Sequence, residues 1–389
     1  MIASKILKKI RQIEIRTNRG VTGTLAGSLG GFVALILTLA SACGADWHAE
    51  SLPQYNKLFE QTNDWIGADG DYTVALTNGV TAWLFSDTFI GQVRDGHRVN
   101  ARMVNNTVAL QHGTEPSDTR VEFFHGKTRD GKPKALFTPA DGKGWFWLGG
   151  GIVESGKLFV FLPQFEHTGD KSVFGFRQIG TWLGCVSNPL APPTKWQITQ
   201  SKIPFVKFEG GENRSFGSAV LVTNGFVYIF GMHERTNSSR KMILARVPEA
   251  KLDDFASWQF RARDGWSTNV EAATDFCDNM ATEYSVSWLP SLQRFVLVYT
   301  ENGLSEKIMV RTAPNPWGPW SAATMVYRCP EASWNKNILC YTAKAQPMLA
   351  STGDELLVTY AANSSKFSDV LDDARLYWPR FVSVRLLSK

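Results

Sequence analysis

The sequence predicts an all-β protein that folds as one five-bladed β-propeller domain, and two observations support this prediction. A hairpin made of an apolar strand, a tight turn and an aromatic-rich strand recurs five times, with its turns about 61 to 77 residues apart. A strand-only repeat of this length is too long for one hairpin and fits one four-stranded propeller blade. The five copies begin at Tyr72, Gly150, Gly217, Tyr284 and Gln346.

The second observation is the type of residue found at the turns of these hairpins. Asn-Gly between two apolar runs is the strongest short-range hairpin signal, and it occurs at Asn78-Gly79 and again at Asn224-Gly225. The other predicted turns are Ser155-Gly156, Ser291-Leu292 and Thr352-Gly353. Between the hairpins lie outer-strand candidates such as VNNTVALQ and KMILARVP. We expect YNKLFEQTNDW, from Tyr55, to add a strand to the last blade and close the ring.

Composition allows a large packed core and argues against a polyanion partner. Apolar residues make up 43% of the chain, with 14 Trp and 24 Phe, so disorder is excluded. The formal net charge is +5, but residues 1–19 alone contribute all of it, with six basic side chains against Glu14. The remaining residues carry equal numbers of acids and bases, so charge does not indicate nucleic acid as a partner.

Residues 1–43 have the pattern of an export signal. A basic stretch is followed by a Gly-rich apolar run and by the small residues Ala40-Ser41-Ala42. Leu39 and the small residues before Cys43 resemble a bacterial lipobox, which predicts that Cys43 carries a lipid and anchors the exported protein in the cell envelope. The alternatives are a secreted protein or an uncleaved anchor, although the strongly apolar part is shorter than the roughly 20 residues of a spanning helix. Residues 44–55 are interpreted as a linker, and residues 56–389 as the propeller.

Four further cysteines occur at Cys185, Cys277, Cys329 and Cys340. In an oxidising compartment four cysteines allow three disulfide pairings. Cys329 and Cys340 are separated by a short loop, and we expect them to pair. The spacing of cysteines and histidines does not match a zinc site, and no cofactor is predicted.

The unusual residues of the first blade are its carboxylates. Asp69 and Asp71 are two positions apart, so they face the same way on an extended backbone. Asp87 ends the second strand of that hairpin, which returns to the start of its partner. Glycoside hydrolysis needs one protonated and one ionised carboxyl group at the scissile bond, and crowded carboxylates push their pKa values apart. Asp69 and Asp87 are therefore the predicted catalytic pair.

Two other interpretations of these carboxylates remain open. Asp residues in Gly-rich turns often accept backbone N–H groups, which would make Asp71 in particular structural. The same oxygens could instead form a structural calcium site.

Further side chains are predicted to bind substrate. Asn106 could hydrogen-bond sugar hydroxyls, Trp147 could stack on a sugar ring, and Glu283 begins an inner strand. His233 follows a predicted strand and could act as a donor. For each, a structural role is the alternative, since Trp and Asn are commonly buried and hydrogen-bonded inside a sheet.

Several segments together resemble a known bacterial family. They are Gly67-Ala68-Asp69 before a strand, WLFSDTFIG from Trp83, MVNNTVALQ, GPW at Gly318 and AKAQPML. The chain resembles a propeller family long labelled only as a domain of unknown function, some of whose relatives are endo-acting D-arabinan hydrolases. The resemblance, from about Asn56 onward, implies a five-bladed propeller glycosidase in which Asp69 and Asp87 match the acidic pair.

The chain departs from this family at Gln346, where the family tends to have His in an AKAHP-like segment. Gln keeps hydrogen-bonding capacity but does not titrate near neutral pH. We expect Gln346 to contact substrate without moving a proton.

The sequence thus predicts an exported, monomeric glycoside hydrolase that acts on furanoside linkages of an arabinan-like polysaccharide. The alternatives are a carbohydrate-binding propeller without activity, and a scaffold propeller that binds protein partners through its rim.

Overall fold

The structure, a computed structural model, describes residues 46–76, 79–350 and 352–387. The predicted export signal and Cys43 lie outside these residues. The described chain is mostly β, with two short α-helices, α1 (Pro53–Asn56) and α2 (Phe367–Asp372). In these residues, no helix is long and apolar enough to cross a membrane.

Most strands belong to five antiparallel sheets of four to six strands. Sheet I contains β3 (Tyr72–Ala75), β4 (Val80–Phe85), β7 (Thr107–His112) and β8 (Arg120–Phe124). Sheet II contains β11 (Trp145–Phe146), β12 (Gly151–Glu154), β13 (Lys157–His167), β14 (Phe176–Val186) and β15 (Ile198–Lys202). Sheet III contains β16 (Lys207–Glu209), β17 (Glu212–Thr223), β18 (Phe226–Arg235), β19 (Lys241–Pro248), β20 (Gln259–Ala262) and β21 (Gly265–Ser267).

The two remaining large sheets come from the last third of the chain and from its N-terminal strand. Sheet IV contains β22 (Tyr284–Leu289), β23 (Arg294–Thr300), β24 (Lys307–Ala313) and β25 (Thr324–Arg328). Sheet V contains β26 (Ile338–Ala345), β27 (Glu355–Ser364), β28 (Pro379–Leu386) and β1 (Trp47–Ser51). Two smaller pieces are a three-stranded sheet of β2 (Asn63–Ala68), β5 (Thr88–Arg94) and β6 (His97–Val104), and a hairpin of β9 (Gly126–Lys127) and β10 (Pro133–Lys134).

Four of the five predicted hairpins are present, as β3-β4, β12-β13, β17-β18 and β22-β23. The turn chemistry explains them. Asn224 and Gly225 have φ angles of 52° and 75°, and Ser155 and Gly156 have 49° and 76°. A two-residue turn with two positive φ angles matches the twist of the flanking strands, and Asn and Gly adopt such angles readily.

The fifth predicted hairpin is wrong in its first strand. Residues Pro347–Leu349 form a short 3₁₀ helix. The strand that pairs with β27 is β26, which ends before Gln346. Pro347 lacks a backbone N–H and restricts the residue before it, so a strand running through this position would lose pairing.

Sheet V is completed by an N-terminal strand, as predicted, but this strand lies earlier in the chain than expected. Strand β1 pairs with β28 along its whole length, from Trp47 opposite Leu386 to Ser51 opposite Val382. It lies within residues 44–55, the segment interpreted as a linker. Tyr55, where the closing strand was expected to begin, lies in α1 and packs on Phe381 with ring centroids 5.4 Å apart.

Apolar side chains from neighbouring sheets meet in five clusters. One buried cluster joins sheets I and II, including Leu84 and Val160. Others join II to III, III to IV, and IV to V. A further cluster joins sheet V to sheet I through large aromatic residues such as Trp83 and Phe381. Burying each such side chain stabilises the fold by roughly 1.5–3 kcal/mol. The closed ring of five blades stays a prediction.

The expected disulfide is absent from the structure. All four cysteines of the described residues are free thiols. Cys329 and Cys340 are nevertheless both buried in the cluster between sheets IV and V. A hydrogen bond with the Cys340 thiol, together with burial, raises the pKa of Cys329.

Candidate active site

Both predicted catalytic carboxylates lie where the chain passes between the three-stranded sheet and sheet I. Asp69 follows β2 and precedes β3, and Asp87 follows β4 and precedes β5. Asn105 occupies the third crossing, between β6 and β7. The backbone N–H of Asp69 donates to the carbonyl of Asp87 over 3.3 Å, and the N–H of Ser86 donates to the carbonyl of Asp69 over 2.8 Å. These bonds hold the two aspartates side by side.

Two glycines allow this close approach. Gly67 and Gly70 flank Asp69 at φ angles of 135° and 93°, which L side chains rarely adopt. A Cβ atom at Gly67 would lie 2.5 Å from the carbonyl oxygen of Tyr377, and one at Gly70 would lie 2.8 Å from the backbone nitrogen of Ser86. The Asp69 segment can therefore pack directly against the chain on both sides.

Asp69 is half-buried, and its two carboxylate oxygens have different surroundings. Oδ2 accepts hydrogen bonds from the hydroxyl groups of Tyr341, at 2.6 Å, and Tyr377, at 2.9 Å. Oδ1 is buried and has no partner among the described residues. Burial, followed by the charges of Asp87 and Glu283, raises the pKa of Asp69 well above its usual range.

The proton of a neutral Asp69 is directed to one oxygen. The Tyr341 hydroxyl accepts a hydrogen bond from Asn363 Nδ2 over 3.0 Å, so its own proton is donated to Asp69 Oδ2. With Tyr377 donating to the same oxygen, the carboxyl proton belongs on Oδ1. A neutral Asp69 therefore carries its proton on an oxygen that is buried and accepts no hydrogen bond from the described residues.

Asp87 has donors that favour its ionised form. Its Oδ1 accepts from Trp147 Nε1 over 2.8 Å and from Asn105 Nδ2 over 3.1 Å. Burial raises the pKa of Asp87 to about 6, while these two donors and the nearby His167 oppose the rise. Hydrogen bonds to a carboxylate stabilise its charge. Asp87 therefore loses its proton at a lower pH than Asp69.

An aromatic wall, defined as Trp145, Trp147, Phe165 and Phe176, stands beside Asp87. Ring centroids of Trp147 lie 4.2 Å from Phe165 and 4.7 Å from Phe176, and Trp145 lies 6.3 Å from Trp147. Trp145, Phe165 and Phe176 lie in strands of sheet II, and Trp147 directly follows strand β11 of the same sheet. The predicted Trp147 is half-buried and combines a hydrogen bond to Asp87 with contacts to neighbouring aromatic rings, and its sugar-stacking role stays a prediction.

The other predicted carboxylates lie deeper. Asp71 is fully buried, so the expectation that it binds substrate receives no support from its surroundings and stays a prediction. Both of its carboxylate oxygens lack hydrogen-bond partners among the described residues. Burial raises its pKa to about 7, with Lys344 lowering it and Glu283 raising it.

Glu283 is half-buried just before β22 and is the fourth carboxylate of the group. Its Oε1 lies 3.6 Å from Nζ of Lys344, a lysine whose side chain is 2% exposed. Burial raises the pKa of Glu283, and Lys344 opposes the rise. The charge of Glu283 in turn raises the pKa of Asp69.

Two predicted substrate contacts, Asn106 and Gln346, receive no support from the structure, because both side chains are hydrogen-bonded inside the protein. Asn106 is buried and bonds the backbone of Phe137 and Phe146 through both ends of its amide. Gln346 is 2% exposed, and its Nε2 donates to the Asp71 carbonyl and to Thr359 Oγ1. It thereby ties sheet V to the start of β3.

Gln346 also accepts a hydrogen bond from Thr73 Oγ1 over 2.5 Å, so both ends of its amide are occupied. Neither Asn106 nor Gln346 offers a free polar group to a sugar. Asn105, the neighbour of Asn106, is the asparagine that contacts a catalytic candidate.

His233 belongs to a separate ion network. Its Nδ1 lies 2.7 Å from Asp275 Oδ1 and its Nε2 lies 3.1 Å from Glu212 Oε1. Glu212 also pairs with Lys207 over 2.9 Å. The ring is 7% exposed and both nitrogens are engaged, so the expectation that His233 binds substrate receives no support from its contacts.

Three residues that contact the carboxylates were not predicted from the sequence: Tyr341, Tyr377 and Lys344. They lie more than 270 residues from Asp69 or Asp71 along the chain, and no local pattern marks them. Repeated glycines around Asp69 were a usable signal that the backbone there approaches another segment closely.

The described residues contain no group of three or more His, Cys, Asp or Glu side chains arranged to hold a metal ion. The calcium alternative therefore stays a hypothesis without a ligand set in this part of the chain.

Comparison with solved structures places the fold beside known proteins. A “putative hydrolase” of Bacteroides ovatus is similar over 89% of this chain and 93% of its own, with a TM-score of 0.69 at 17% identity. At that identity the likeness extends to the fold alone. Two further neighbours are glycosidases with TM-scores below 0.5.

The first is the α-L-arabinofuranosidase of Podospora anserina, with 10% identity, a TM-score of 0.46 and coverage of 83% of this chain and 96% of that one. The second is the xylan β-1,4-xylosidase of Bacillus halodurans, with 9% identity, a TM-score of 0.48 and coverage of 83% and 53%.

Among curated proteins none matches this chain. The family model described as "Domain of unknown function (DUF5005)" matches residues 53–386. The match spans nearly all of the described residues, and the chain belongs to the DUF5005 family.

Proposed function

We propose that this protein is an exported glycoside hydrolase that cleaves furanoside linkages in an arabinan-like polysaccharide. Asp69 acts as the general acid and Asp87 as the ionised carboxylate. The main support for the proposal is the contrast between the environments of these two neighbouring carboxyl groups, which raise their pKa values to different extents. Opposed environments on two adjacent carboxylates are what acid and base assignments at one site require.

The protonation states follow from the hydrogen bonds. Between the pKa of Asp87, about 6, and the higher pKa of Asp69, the pair holds one proton, on Asp69. In such a state Asp69 carries the proton that the leaving oxygen of a glycosidic bond requires. Asp87 can act on the sugar as a nucleophile or through a water, two roles that differ in the stereochemistry of the product.

Substrate binding is assigned to the aromatic wall and to Glu283. Trp147 contacts Asp87 directly, and its half-buried indole is assigned the stacking of a sugar ring. Glu283 is half-buried beside Asp69 and can accept hydrogen bonds from sugar hydroxyls. The furanoside specificity rests on the resemblance to a family with D-arabinan hydrolases.

The proposed architecture is a closed five-bladed propeller, with sheets I to V as blades. It is supported by the order of the apolar clusters, each of which joins one sheet to the next and the last to the first. Asp69, Asp71 and Glu283 lie at the starts of β3 and β22, the first strands of sheets I and IV. In a propeller, such strand ends surround a central channel.

Export and lipid anchoring at Cys43 are part of the same proposal, since the substrate is an extracellular polymer. Mass spectrometry of the protein from the membrane fraction of its host tests this part. A lipid mass on an N-terminal Cys43 is expected, and a protein that retains residues 1–42 would contradict it.

The activity is tested by incubating the full chain with arabinan, arabinogalactan, xylan and fructan and measuring released oligosaccharides. Release from arabinan that disappears in Asp87→Asn is the expected result. Binding of a polymer without release, unchanged in Asp87→Asn, would replace the enzyme with a carbohydrate-binding propeller. If no polymer is cleaved and none is bound, the scaffold alternative is favoured.

A further inference from the structure

A cavity beside the candidate active site is not used by the proposed reaction. It has a volume of about 440 Å³, and its lining includes Met103, Asn105, Lys134, Thr138 and Trp145. This volume lies within the roughly 300–1,000 Å³ of small-molecule sites. We refer to it as the side cavity.

Two walls of the side cavity lead to Asp87. Asn105 lines the cavity and donates its Nδ2–H to Asp87 Oδ1 over 3.1 Å. Trp145 lines the cavity, and its ring lies 6.3 Å from that of Trp147, which donates to the same Asp87 oxygen. A molecule in the side cavity would therefore lie next to the group that acts on the scissile bond.

One wall residue lacks a partner. The Nε1 atom of Trp145 is buried and has no acceptor among the described residues. An indole N–H is a donor only, and leaving such a group unsatisfied costs roughly 1–3 kcal/mol.

Charge around the side cavity is positive. Lys134 lines it, and no acidic side chain occurs among its lining residues. Segment 126–134, which includes β9 and β10, carries Lys127, Arg129, Lys132 and Lys134 against the single acid Asp130. All four bases are exposed, and Asp130 is paired with Lys132.

This local excess of positive charge contrasts with residues 20–389, which are formally neutral as a whole. Of these bases Lys134 lines the side cavity, where it is available to an anionic ligand. Electrostatic complementarity of this kind discriminates between charged and neutral ligands.

We propose that the side cavity is a subsite for an acidic sugar residue, one that carries a carboxylate, in the polysaccharide that the protein cleaves. The carboxylate pairs with Lys134, and Met103 contacts the apolar face of the ring. This inference rests on the proposed function for the identity of the ligand as a polysaccharide. It adds to the proposed function a preference for polymers with uronate branches or units over neutral ones.

The test compares two forms of one ligand. Uronate-containing oligosaccharides from glucuronoarabinoxylan are used as they are and after chemical reduction of the carboxyl groups to neutral alcohols. Binding of each to the full chain carrying Asp87→Asn is measured by calorimetry, so that no ligand is consumed. We expect the acidic form to bind about three- to tenfold more tightly, between the effect of an exposed ion pair and that of a charge-assisted hydrogen bond.

Variants then show which residue causes the preference for the acidic form. Lys134→Gln removes one charge and should abolish most of the preference for the acidic form. Lys251→Gln removes an exposed charge outside the side cavity and should leave the preference unchanged. Thermal denaturation of each variant verifies that the fold is retained.

Two results would overturn the inference: equal binding of the acidic and neutral forms, or a preference that Lys134→Gln leaves intact. If neutral arabinan is cleaved through Asp87 and no acidic preference exists, the subsite is wrong and the proposed function stands. If no polymer is cleaved but acidic oligosaccharides bind through Lys134, the proposed function is wrong and the side cavity remains a binding site for acidic sugars.

Discussion

Replacing Asp71 with Asn should change the free energy of unfolding relative to wild type, and this change should favour the variant more at pH 8 than at pH 4. Asp71 is fully buried, and neither of its oxygens has a hydrogen-bond partner among the described residues. Its pKa rises from 3.8 to about 7, mainly through burial. Since one pKa unit corresponds to 1.36 kcal/mol, ionising Asp71 in the folded state costs about 4 kcal/mol.

The sign follows from proton linkage. A carboxyl group whose pKa is higher in the folded than in the unfolded chain favours folding when protonated, and this stability falls as pH rises from about 4 to about 7. Asn has no proton to lose, so Asp71→Asn does not have this loss. Its free energy of unfolding, relative to wild type, should rise by about 4 kcal/mol between pH 4 and pH 8.

Urea denaturation followed by tryptophan fluorescence measures this difference at each pH. Asp71 has a φ angle of 51°, which Asn adopts as readily as Asp. Asp95→Asn is the matched control, because Asp95 has a φ angle of 50° and is exposed. A relative stability of Asp71→Asn that is the same at pH 4 and pH 8 would refute the buried, unpartnered state of this carboxyl group.

Three further substitutions test the site. Tyr341→Phe removes a donor to Asp69, which should raise the pKa of Asp69 further and move the alkaline limb of kcat/KM up by roughly one pH unit. Trp147→Phe removes a donor to Asp87, which should raise the pKa of Asp87 above about 6 and move the acidic limb up by a similar amount. Gln346→Leu breaks buried hydrogen bonds and should lower the free energy of unfolding by roughly 2–5 kcal/mol, as measured by urea denaturation.

Matched controls accompany these substitutions. Tyr228→Phe removes a hydroxyl in sheet III, and Trp288→Phe alters an exposed indole in sheet IV; both should leave the pH limbs unmoved. Limbs that stay in place in Tyr341→Phe and Trp147→Phe would mean that Asp69 and Asp87 do not set the pH dependence. A Gln346→Leu protein as stable as wild type would show that the tie between sheet V and β3 contributes nothing.

The pairing of Asp69 with Asp87 could be predicted from the sequence, because a hairpin returns the end of its second strand to the start of its first. The structure adds that the chain changes sheets at both positions. That change depends on β2, β5 and β6 pairing with one another, which no local pattern indicates. The hairpin argument was therefore sufficient for the proximity of the two carboxylates, although not for its full structural cause.

The surroundings of the carboxylates could not be predicted in the same way. Tyr341 and Tyr377 reach Asp69 from sheet V and the segment before β28, and such long-range contacts depend on how sheets pack. Asn105 and Asn106 are adjacent in sequence, yet one contacts Asp87 and the other is buried in backbone contacts. A single residue of register separates the two roles, and the sequence does not fix it.

The most direct test of the carboxylate pair is the initial rate of polysaccharide hydrolysis by wild type, Asp69→Asn and Asp87→Asn, measured beside binding of the same polymer. We predict that each substitution lowers the rate by roughly 10²–10⁴-fold, the usual contribution of a positioned acid or base, while the dissociation constant changes little. Hydrolysis at the wild-type rate in either variant would contradict the assignment of Asp69 and Asp87 as the catalytic pair.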